Sequence, residues 1–389
     1  MTSDVIYLDS NATTPCDPRV VEAMLPFMTE IFANATSRNH RPGREAATAL
    51  ERARGTVDQL LGGHAASEVV FTAGASEANN LALFGVAAAA DQRRRRIVSQ
   101  TTEHASVLAP LGALERQGWR VTLVGVDSRG RVDLDELESA LDDDTAVVSV
   151  MLANNETGTV QGIAEVASLA HARGALVHCD AAQAVGKIAV DAVALDVDLL
   201  TVSAHKFYGP KGIGALWIRR RRPPVVLRPL VHGGGQEGGL RSGTPNLPGV
   251  VGMARALELA VADLDREAAR TAHLRDRLEQ LLLDAIEDVR GNGDPLRRLP
   301  NTSNLSLVGV EVNALLASLP DVAINTGSAC ASAHPEPSPV LRAMGVSDEL
   351  AGSSLRLSVG RFTTEAEVDR AADRIIEEVA RLRALPKRM

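Results

Sequence analysis

One lysine follows a short apolar run at a point where the sequence turns abruptly polar. Residues 199–202 are apolar or β-branched, and Ser203, His205 and Lys206 come next, before a glycine-bounded turn. A lysine that forms Schiff bases needs a lowered pKa, and partial burial beside a cationic neighbour such as His205 shifts the pKa in that direction. A lysine at a strand end is otherwise usually a solvated edge charge. Lys206 alone leaves both interpretations open.

A carboxylate and an amide follow the preceding apolar run. Asp180 comes directly after residues 176–179, and Gln183 lies three residues later. A buried acid suits a protonated pyridine nitrogen, and a glutamine amide suits a ring hydroxyl. Asp180 could instead cap a helix. Combined with Lys206, these side chains predict a pyridoxal-phosphate enzyme whose cofactor is bound as a Schiff base to Lys206.

A phosphate group needs donors from a loop that opens into a helix. The backbone amides of Ala75 and Ser76, with the Ser76 hydroxyl, follow a predicted strand and suit an anion there, although Ser76 could be only a helix N-cap. Ser203 and His205 offer further donors. His104, after another predicted strand, could lie flat over a cofactor ring and move protons, or could be a structural histidine at a helix start.

The elements that must position these side chains alternate in type. Short β-branched runs predict seven strands, and Ala- and Leu-rich stretches at 76–90, 106–118, 134–141 and 163–173 predict crossover helices. This alternation predicts an α/β fold with a mostly parallel seven-stranded sheet flanked by helices. Ligands gather at the carboxyl ends of such strands. The seven predicted strands are 68–71, 96–99, 120–124, 146–150, 176–179, 199–202 and 214–218.

The remainder of the chain predicts a second, smaller unit. Residues 248–286 are expected to form one long helix between two lobes, and a capping box of Thr364 and Glu367 opens a terminal helix. We expect a large cofactor-binding domain over 15–260. Residues 1–14 and 261–389 are expected to form a smaller α+β domain that carries a cysteine loop.

Composition limits the function. The 389 residues include 41 basic and 49 acidic side chains, giving a formal charge of −8, and only 3% are aromatic. A direct nucleic-acid binder is therefore not expected. The start of the sequence has no signal-peptide pattern and no run of 18 apolar residues occurs, which predicts a cytosolic protein without membrane association. Three cysteines are too few for a disulfide framework, and Cys179 is expected to be buried.

The sequence resembles the cysteine desulfurases of the NifS and IscS type, which are class V aminotransferases of the fold type I pyridoxal-phosphate enzymes. The resemblance spans nearly the whole chain. Its most specific motifs are HCDAAQ at 178–183, SAHKFYGPKG at 203–212 and GSAC at 327–330, and the others are YLDSNATTP at 7–15, FTAGASEANN at 71–80, TEHASV at 102–107, NNETG at 154–158, GGQE at 234–237, RSGTPN at 241–246 and SLRLS at 354–358.

The resemblance implies a set of cofactor-binding residues, which includes Asn155, and a role for most of them. Lys206 would hold the cofactor, Asp180 would face the pyridine nitrogen, Gln183 the ring hydroxyl, and His104 would stack on the ring. The phosphate would be held by Ala75, Ser76, Ser203 and His205. Thr244 would reach the phosphate from a second subunit, which requires a homodimer.

The resemblance also implies the chemistry. L-cysteine would be the substrate, with its carboxylate held by Arg356, Asn155 and Asn34, and Lys206 would remove the Cα proton. The Cys330 thiolate would attack the substrate sulfur, leaving a persulfide on Cys330 and releasing L-alanine. His104 would carry protons.

Cys330 lies in a small-residue stretch with prolines at 335, 337 and 339, which predicts a loop. Ser338 as N-cap, Pro339 and Gly345 predict a short helix after the loop. The loop length resembles that of the NifS and IscS group. No intrinsic metal site is expected, and a transient role of Cys330 as an iron–sulfur ligand stays open.

The sulfur acceptor is not determined by the sequence. An acceptor or scaffold protein is expected, serving iron–sulfur cluster assembly, tRNA thiolation or DNA phosphorothioation. Ser10, Ser76 and His334 depart from the usual family pattern. Two alternatives are a selenocysteine lyase or another class V enzyme that forms no persulfide, and a sulfur-relay scaffold with low turnover of its own.

Overall fold

The structure is a computed structural model that describes residues 5–63, 67–91, 93–327 and 337–385. Strands in these ranges, numbered in chain order, are β1 Ile6–Tyr7, β2 Ser67–Thr72, β3 Arg96–Gln100, β4 Arg120–Val124, β5 Thr145–Ser149, β6 Leu176–Asp180, β7 Leu199–Ser203, β8 Gly214–Arg219, β9 Val289–Gly291, β10 Thr302–Leu307, β11 Val322–Ala323 and β12 Ser354–Ser358.

The α-helices in the same ranges are α1 Pro18–Met24, α2 Pro26–Thr29, α3 Arg41–Leu60, α4 Ala75–Ala89, α5 Ala105–Arg116, α6 Leu134–Ala140, α7 Ile163–Ala172, α8 Leu247–Ala262, α9 Leu264–Ala285, α10 Val312–Ser318, α11 Pro339–Ala343, α12 Asp348–Ala351 and α13 Glu365–Ala384. None of them is long and apolar enough to cross a membrane.

The central sheet has seven strands in the order β2-β8-β7-β6-β5-β3-β4. β8 runs antiparallel to both of its neighbours, and the other pairs are parallel. The predicted mostly parallel seven-stranded sheet is confirmed, and so are the four predicted crossover helices. Because β2, β3, β5, β6 and β7 point the same way, their carboxyl ends meet at one edge.

Both faces of the sheet are covered by apolar packing, as parallel sheets require. Successive strand residues point to opposite faces, so Val148 belongs to one core cluster and Val147 to another. The strands β5 and β7 are buried at every position. The central strands are therefore rigid supports for the loops that follow them.

A second core lies outside the central sheet. Its three-stranded sheet has the order β12-β10-β9, and β1 pairs with β11 in a separate two-stranded sheet. Ile6 and Leu8 pack there with residues from 274 to 379, including Leu355 and Ile375. This grouping of the chain start with the second half supports the division that we propose into 15–260 and 1–14 plus 261–389.

The prediction of a single long helix over 248–286 is wrong in one respect, because the chain forms two helices separated by Asp263. Asp263 has φ −106° and ψ 8°, which is not helical. Ten residues of α8 are buried, in keeping with its place in the core of the large sheet, whereas α9 buries four residues along one stripe, of which three leucines pack in the second core. The break lets each helix follow its own core.

Two predicted helix starts are confirmed. Thr364 and Glu367 form the reciprocal capping box at the start of α13. Ser338 caps α11, with its hydroxyl oxygen accepting a hydrogen bond from the Leu341 amide, and Pro339 is the first helical residue. Cys179 is fully buried, as expected for a core thiol.

Candidate active site

A cavity of about 720 Å³ lies where the carboxyl ends of the parallel strands meet. Cavities of a few hundred to a thousand Å³ accept small cofactors and substrates. Most of the residues predicted from the sequence line this cavity, namely Ala75, Ser76, His104, Asn155, Asp180, Gln183, Ser203, His205, Lys206 and Arg356. The tertiary structure therefore brings together side chains that are up to 281 positions apart.

Lys206 ends a short 3₁₀ helix, Ala204–Lys206, directly after β7. Its Nζ atom donates hydrogen bonds to the carbonyl oxygens of Asn11 at 2.5 Å and Ala12 at 2.9 Å. Burial, followed by the nearby Arg356 guanidinium, lowers the pKa of Lys206 to about 8. This amine is held by neutral carbonyl groups and keeps an appreciable uncharged fraction near neutral pH.

The expectation that a cationic His205 lowers the pKa of Lys206 is wrong. Burial, together with the charges of nearby lysines, lowers the pKa of His205 to about 4, so its imidazole is neutral at neutral pH and is not the cationic neighbour of Lys206. Arg356 has that role. The Nδ1 atom of His205 instead lies 3.1 Å from the Thr13 hydroxyl.

Asp180 ends β6 and is 6% exposed. Its Oδ2 atom accepts a hydrogen bond from the Asn79 amide at 2.7 Å, and its Oδ1 atom accepts one from the Ala182 backbone at 2.9 Å. The second contact is a local turn rather than the cap of a helix. Because the carboxylate also lines the cavity, it fits a protonated ring nitrogen.

His104 is both a structural residue and a cavity residue. As the N-cap of α5, its Nδ1 atom accepts a hydrogen bond from the Ser106 amide at 3.0 Å. The proton of the neutral ring is therefore on Nε2. Burial lowers the pKa of His104, so the ring is mostly neutral at neutral pH. Asn79 donates to Ser106 as well as to Asp180, which couples the histidine to the carboxylate through side chains.

The start of α4 forms a cradle that suits a phosphate group. The N-cap is Gly74, with φ 153° and no side chain that could satisfy the first helical amides. A Cβ at Gly74 would lie 3.8 Å from the Ser203 hydroxyl and project into this space. Since Gly74 is the N-cap, the interpretation of Ser76 as a cap is wrong, and Ser76 is exposed within the first turn. Free amides at a helix start bind anions.

Arg356 lies on β12 and is 4% exposed. Its terminal nitrogens donate to the Asn155 carbonyl at 3.1 Å and to the Asp9 carboxylate at 2.5 Å. Its Nε atom is buried and has no hydrogen-bond partner among the described residues. Buried donors in native structures are normally satisfied, so this atom fits a ligand carboxylate.

Two predicted residues among the described ones do not line this cavity. Asn34 is exposed, and its side-chain oxygen accepts hydrogen bonds from Thr36. Placing Asn34 on the substrate carboxylate would need a different arrangement of this segment. Thr244 is exposed and does not line the cavity of its own chain, in keeping with a role toward a partner subunit. Cys330 lies outside the described residues.

Residues near the chain start have a larger part in the site than their sequence motif predicts. The carbonyl of Asn11 accepts hydrogen bonds from Lys206 and from Gln183 Nε2, the latter at 2.9 Å. The motif at 7–15 was visible in the sequence, but nothing in its spacing assigned these contacts. Lys187 was also missed, although it stands four residues after Gln183 and donates to its side-chain oxygen at 2.7 Å.

Two buried acids adjoin the site. Glu103 is 3% exposed, and burial raises its pKa to about 8. One of its oxygens accepts hydrogen bonds from the Met151 backbone and the Gln100 amide. Glu156 is buried between the two described ends of the cysteine segment, since its side chain lies against Gly327 and accepts a 2.5 Å hydrogen bond from Ser338. Burial raises the pKa of Glu156.

Comparisons with known proteins identify the family to which the chain belongs. The family model Aminotransferase class-V matches residues 6–371. The cysteine desulfurase IscS of Anaeromyxobacter dehalogenans is 49% identical over 380 residues, covering 98% of this chain and 94% of that protein.

Two solved structures are also similar. A structure described as a NifS-like protein has a TM-score of 0.90 and 39% identity. The match covers 97% of this chain and 100% of the chain in that structure. A structure described as SspA in complex with cysteine has a TM-score of 0.80 and 32% identity. The match covers 92% of this chain and 99% of the chain in that structure. The chain therefore belongs to the class V aminotransferase family, among its cysteine desulfurases of the NifS and IscS type.

Proposed function

We propose that this protein is a pyridoxal-phosphate-dependent cysteine desulfurase that converts L-cysteine to L-alanine and leaves a persulfide on Cys330. The observation that carries the proposal is the convergence of Lys206, Asp180 and Gln183 in one cavity that Arg356 also lines. The similarity to cysteine desulfurases and to a structure that contains cysteine supports the substrate.

The residues present fit the cofactor. Asp180 would pair with the protonated ring nitrogen, Gln183 with the ring hydroxyl, and the start of α4 with Ser203 and His205 would hold the phosphate. When bound, pyridoxal phosphate supplies an electron sink for the substrate Cα. Asn79 fixes the orientation of the Asp180 carboxylate toward that ring position.

Lys206 has two duties in this proposal, as the covalent tether and as the base for the Cα proton. A pKa of about 8 lets the released amine accept a proton near neutral pH. The carbonyls of Asn11 and Ala12 restrict where the amine can lie. This restriction orients the nitrogen without adding a countercharge that would raise its pKa.

His104 would deliver a proton to the substrate, and Arg356 would bind the substrate carboxylate. The Nε2 atom of His104 carries the proton of the neutral ring and is the candidate for proton delivery. The unpartnered Nε atom of Arg356, with the Asn155 side chain, would hold the substrate carboxylate. Because Asp9 fixes one terminal nitrogen of Arg356, the guanidinium is oriented before substrate arrives.

The sulfur step is assigned to Cys330. Its thiolate would attack the substrate sulfur, the Cβ–S bond would break, and the sum is L-cysteine plus the enzyme thiol giving L-alanine plus the enzyme persulfide. A sulfur-acceptor protein would then receive the sulfur, and Thr244 from a second subunit would complete the phosphate site of a homodimer. Iron–sulfur assembly, tRNA thiolation and DNA phosphorothioation remain the candidate destinations.

The test combines cofactor mapping with turnover on one sample. After borohydride reduction and peptide mapping, we expect the cofactor on Lys206, while Lys187 and Lys211 in the same region serve as internal controls. The same preparation should form alanine and sulfide from L-cysteine in equal amounts when a thiol reductant is present. Label on either control lysine would contradict the tether, and alanine without persulfide would favour a selenocysteine lyase or another class V enzyme.

A further inference from the structure

We propose that Lys187 is a positioning residue that holds the Gln183 amide so that its free N–H points to the ring oxygen of the cofactor. The inference rests on the proposed function and extends it to a residue outside the cavity lining. Lys187 follows β6 by seven residues, and its amine reaches back to the side chain of Gln183.

The geometry defines which atoms meet. Lys187 Nζ donates to Gln183 Oε1 at 2.7 Å and to Asn11 Oδ1 at 2.9 Å. Gln183 Nε2 donates to the Asn11 carbonyl oxygen at 2.9 Å. Among the described residues Lys187 forms no ion pair, so two amide oxygens are its polar partners in this part of the chain.

The orientation of the two amides follows from the atoms that they contact. A backbone carbonyl can only accept, so Gln183 must present its nitrogen to the Asn11 carbonyl. The Asn11 side chain likewise presents its nitrogen to the Asn155 carbonyl at 3.3 Å. Both amide oxygens therefore face Lys187, and the lysine satisfies them as a donor.

Among the residues that the structure describes, this arrangement leaves one N–H of Gln183 without a partner. Gln183 lines the cavity, so that N–H is available to a ring oxygen. If Lys187 were absent, the Gln183 oxygen would lose its donor in a buried place, and only the hydrogen bond from Nε2 to the Asn11 carbonyl would still hold the amide. With one contact left, the amide plane could tilt about that hydrogen bond, and the second N–H would point away from the ring oxygen for part of the time.

Electrostatics supports the same assignment. Burial, followed by the charges of Lys206 and Arg356, lowers the pKa of Lys187 well below its ordinary value. A lysine kept in such a place without a carboxylate partner is costly to the fold. The cost is compensated locally by the two amide oxygens, which link it to the cofactor site.

If Lys187 has a purely structural role, the variants are expected to behave differently. Lys187 also contacts Asn11, whose side chain donates to Thr302 and accepts from Asn301 Nδ2 at 3.1 Å. If Lys187 only tied these segments together, removal of Asn301 would resemble removal of Lys187. Asn301→Ala is therefore the matched control, because it disturbs Asn11 and leaves the Gln183 contact in place.

The experiment measures the visible absorption of the bound cofactor as a function of pH. Full-length wild type, Lys187→Met, Gln183→Met, the double variant and Asn301→Ala are loaded with pyridoxal phosphate. We expect Lys187→Met and Gln183→Met each to raise the midpoint pH of the absorption change, by roughly one pH unit for the loss of one donor. In the Gln183→Met background, Lys187→Met should add no further rise, and Asn301→Ala should match wild type.

Circular dichroism of each cofactor-free variant reports folding. If Lys187→Met does not fold, Lys187→Gln, which keeps one donor, is expected to raise the midpoint by a smaller amount. Three results would overturn the inference. The midpoint pH could shift equally with and without Gln183, it could shift by the same amount in Asn301→Ala, or it could stay unchanged in both Lys187 variants. If wild type gains no visible absorption with pyridoxal phosphate, the proposed function fails as well; if wild type turns over L-cysteine but the variants do not shift, only this inference fails.

Discussion

The Lys206 amine lies 2.5 Å from the backbone carbonyl of Asn11, a residue 195 positions earlier in the chain. The chain start is thus part of the site rather than an appendage. Asn11 also receives hydrogen bonds from Gln183 and Lys187 and contacts Ser358 of β12. The lysine that we propose as the cofactor tether, the candidate ring-oxygen donor and the second core therefore meet at one residue.

The pH dependence of turnover should follow the titration of the Lys206 amine. Burial and Arg356 lower its pKa to about 8 from an ordinary value of 10.5 in the unfolded chain, so the neutral amine is populated above about pH 8 and lost as the pH falls below it. We expect kcat for alanine formation to fall by about tenfold per pH unit below that value. Single-turnover measurements from pH 6 to 9 check this, and a flat profile would contradict it.

Replacement of Arg356 should affect substrate binding more than the chemical step. Arg356→Lys removes the planar Nε donor, so we expect the KM for L-cysteine to rise by about tenfold or more with a smaller change in kcat. The absorption of the bound cofactor before substrate addition should stay the same. An unchanged KM would place the substrate carboxylate elsewhere.

The cysteines provide a matched pair for the persulfide step. Cys330→Ser should reduce alanine and sulfide formation by about a thousandfold while the cofactor still binds, because a hydroxyl is not a comparable nucleophile for sulfur. Cys16→Ser should retain turnover, since burial raises the pKa of the Cys16 thiol and this half-buried residue does not line the cavity. Mass spectrometry after incubation with L-cysteine should find the additional sulfur on Cys330 in wild type. Retained turnover in Cys330→Ser would contradict the mechanism.

Ser338 should contribute more to stability than an ordinary helix cap. It caps α11 and also donates to the buried Glu156, so Ser338→Ala removes a cap and leaves a buried carboxyl oxygen unpaired. We expect a loss of about 2–3 kcal/mol in the free energy of unfolding. Ser347→Ala, which removes the exposed cap of α12, should cost about 1 kcal/mol. Urea unfolding of the three proteins gives the comparison, and equal losses would show that the Glu156 contact adds nothing.

Glu103 should make stability depend on pH. Its folded-state pKa is raised to about 8 from 4.5, so its contribution is fully present below about pH 4.5 and is lost as the pH rises through 8. Glu103→Gln keeps an acceptor for the Met151 amide and cannot ionise. Relative to wild type, we expect this variant to gain about 3–4 kcal/mol in the free energy of unfolding between pH 5 and 8, measured by urea unfolding of the cofactor-free protein. A constant difference across that range would contradict the assignment.

Much of the fold could be predicted because its signals are local. Alternating apolar runs and amphipathic stretches are a direct consequence of burial on both faces of a parallel sheet, and all seven strands were found in this way. The capping box at Thr364 is equally local. The break at Asp263 was missed because both neighbouring segments have helical composition, and only their packing against different cores separates them.

The sequence by itself determined the chemical identity of the site. Lys206, Asp180, Gln183 and His104 each follow a predicted strand, and a parallel sheet must bring such positions to one edge. Their residue types already indicated a ring cofactor with a phosphate. The motifs around them, including the segment of Cys330, pointed to sulfur chemistry.

Only the tertiary structure decided how these groups are held and charged. Contacts between positions far apart in the chain, such as Asn11 with Lys206 and Asp9 with Arg356, leave no periodic signal in the sequence. A pKa depends on burial and on charges that the fold brings near, which is why Arg356 rather than His205 acts on Lys206. The same reason explains Lys187, whose place beside Gln183 became visible only when the turn after β6 and the chain start were seen together.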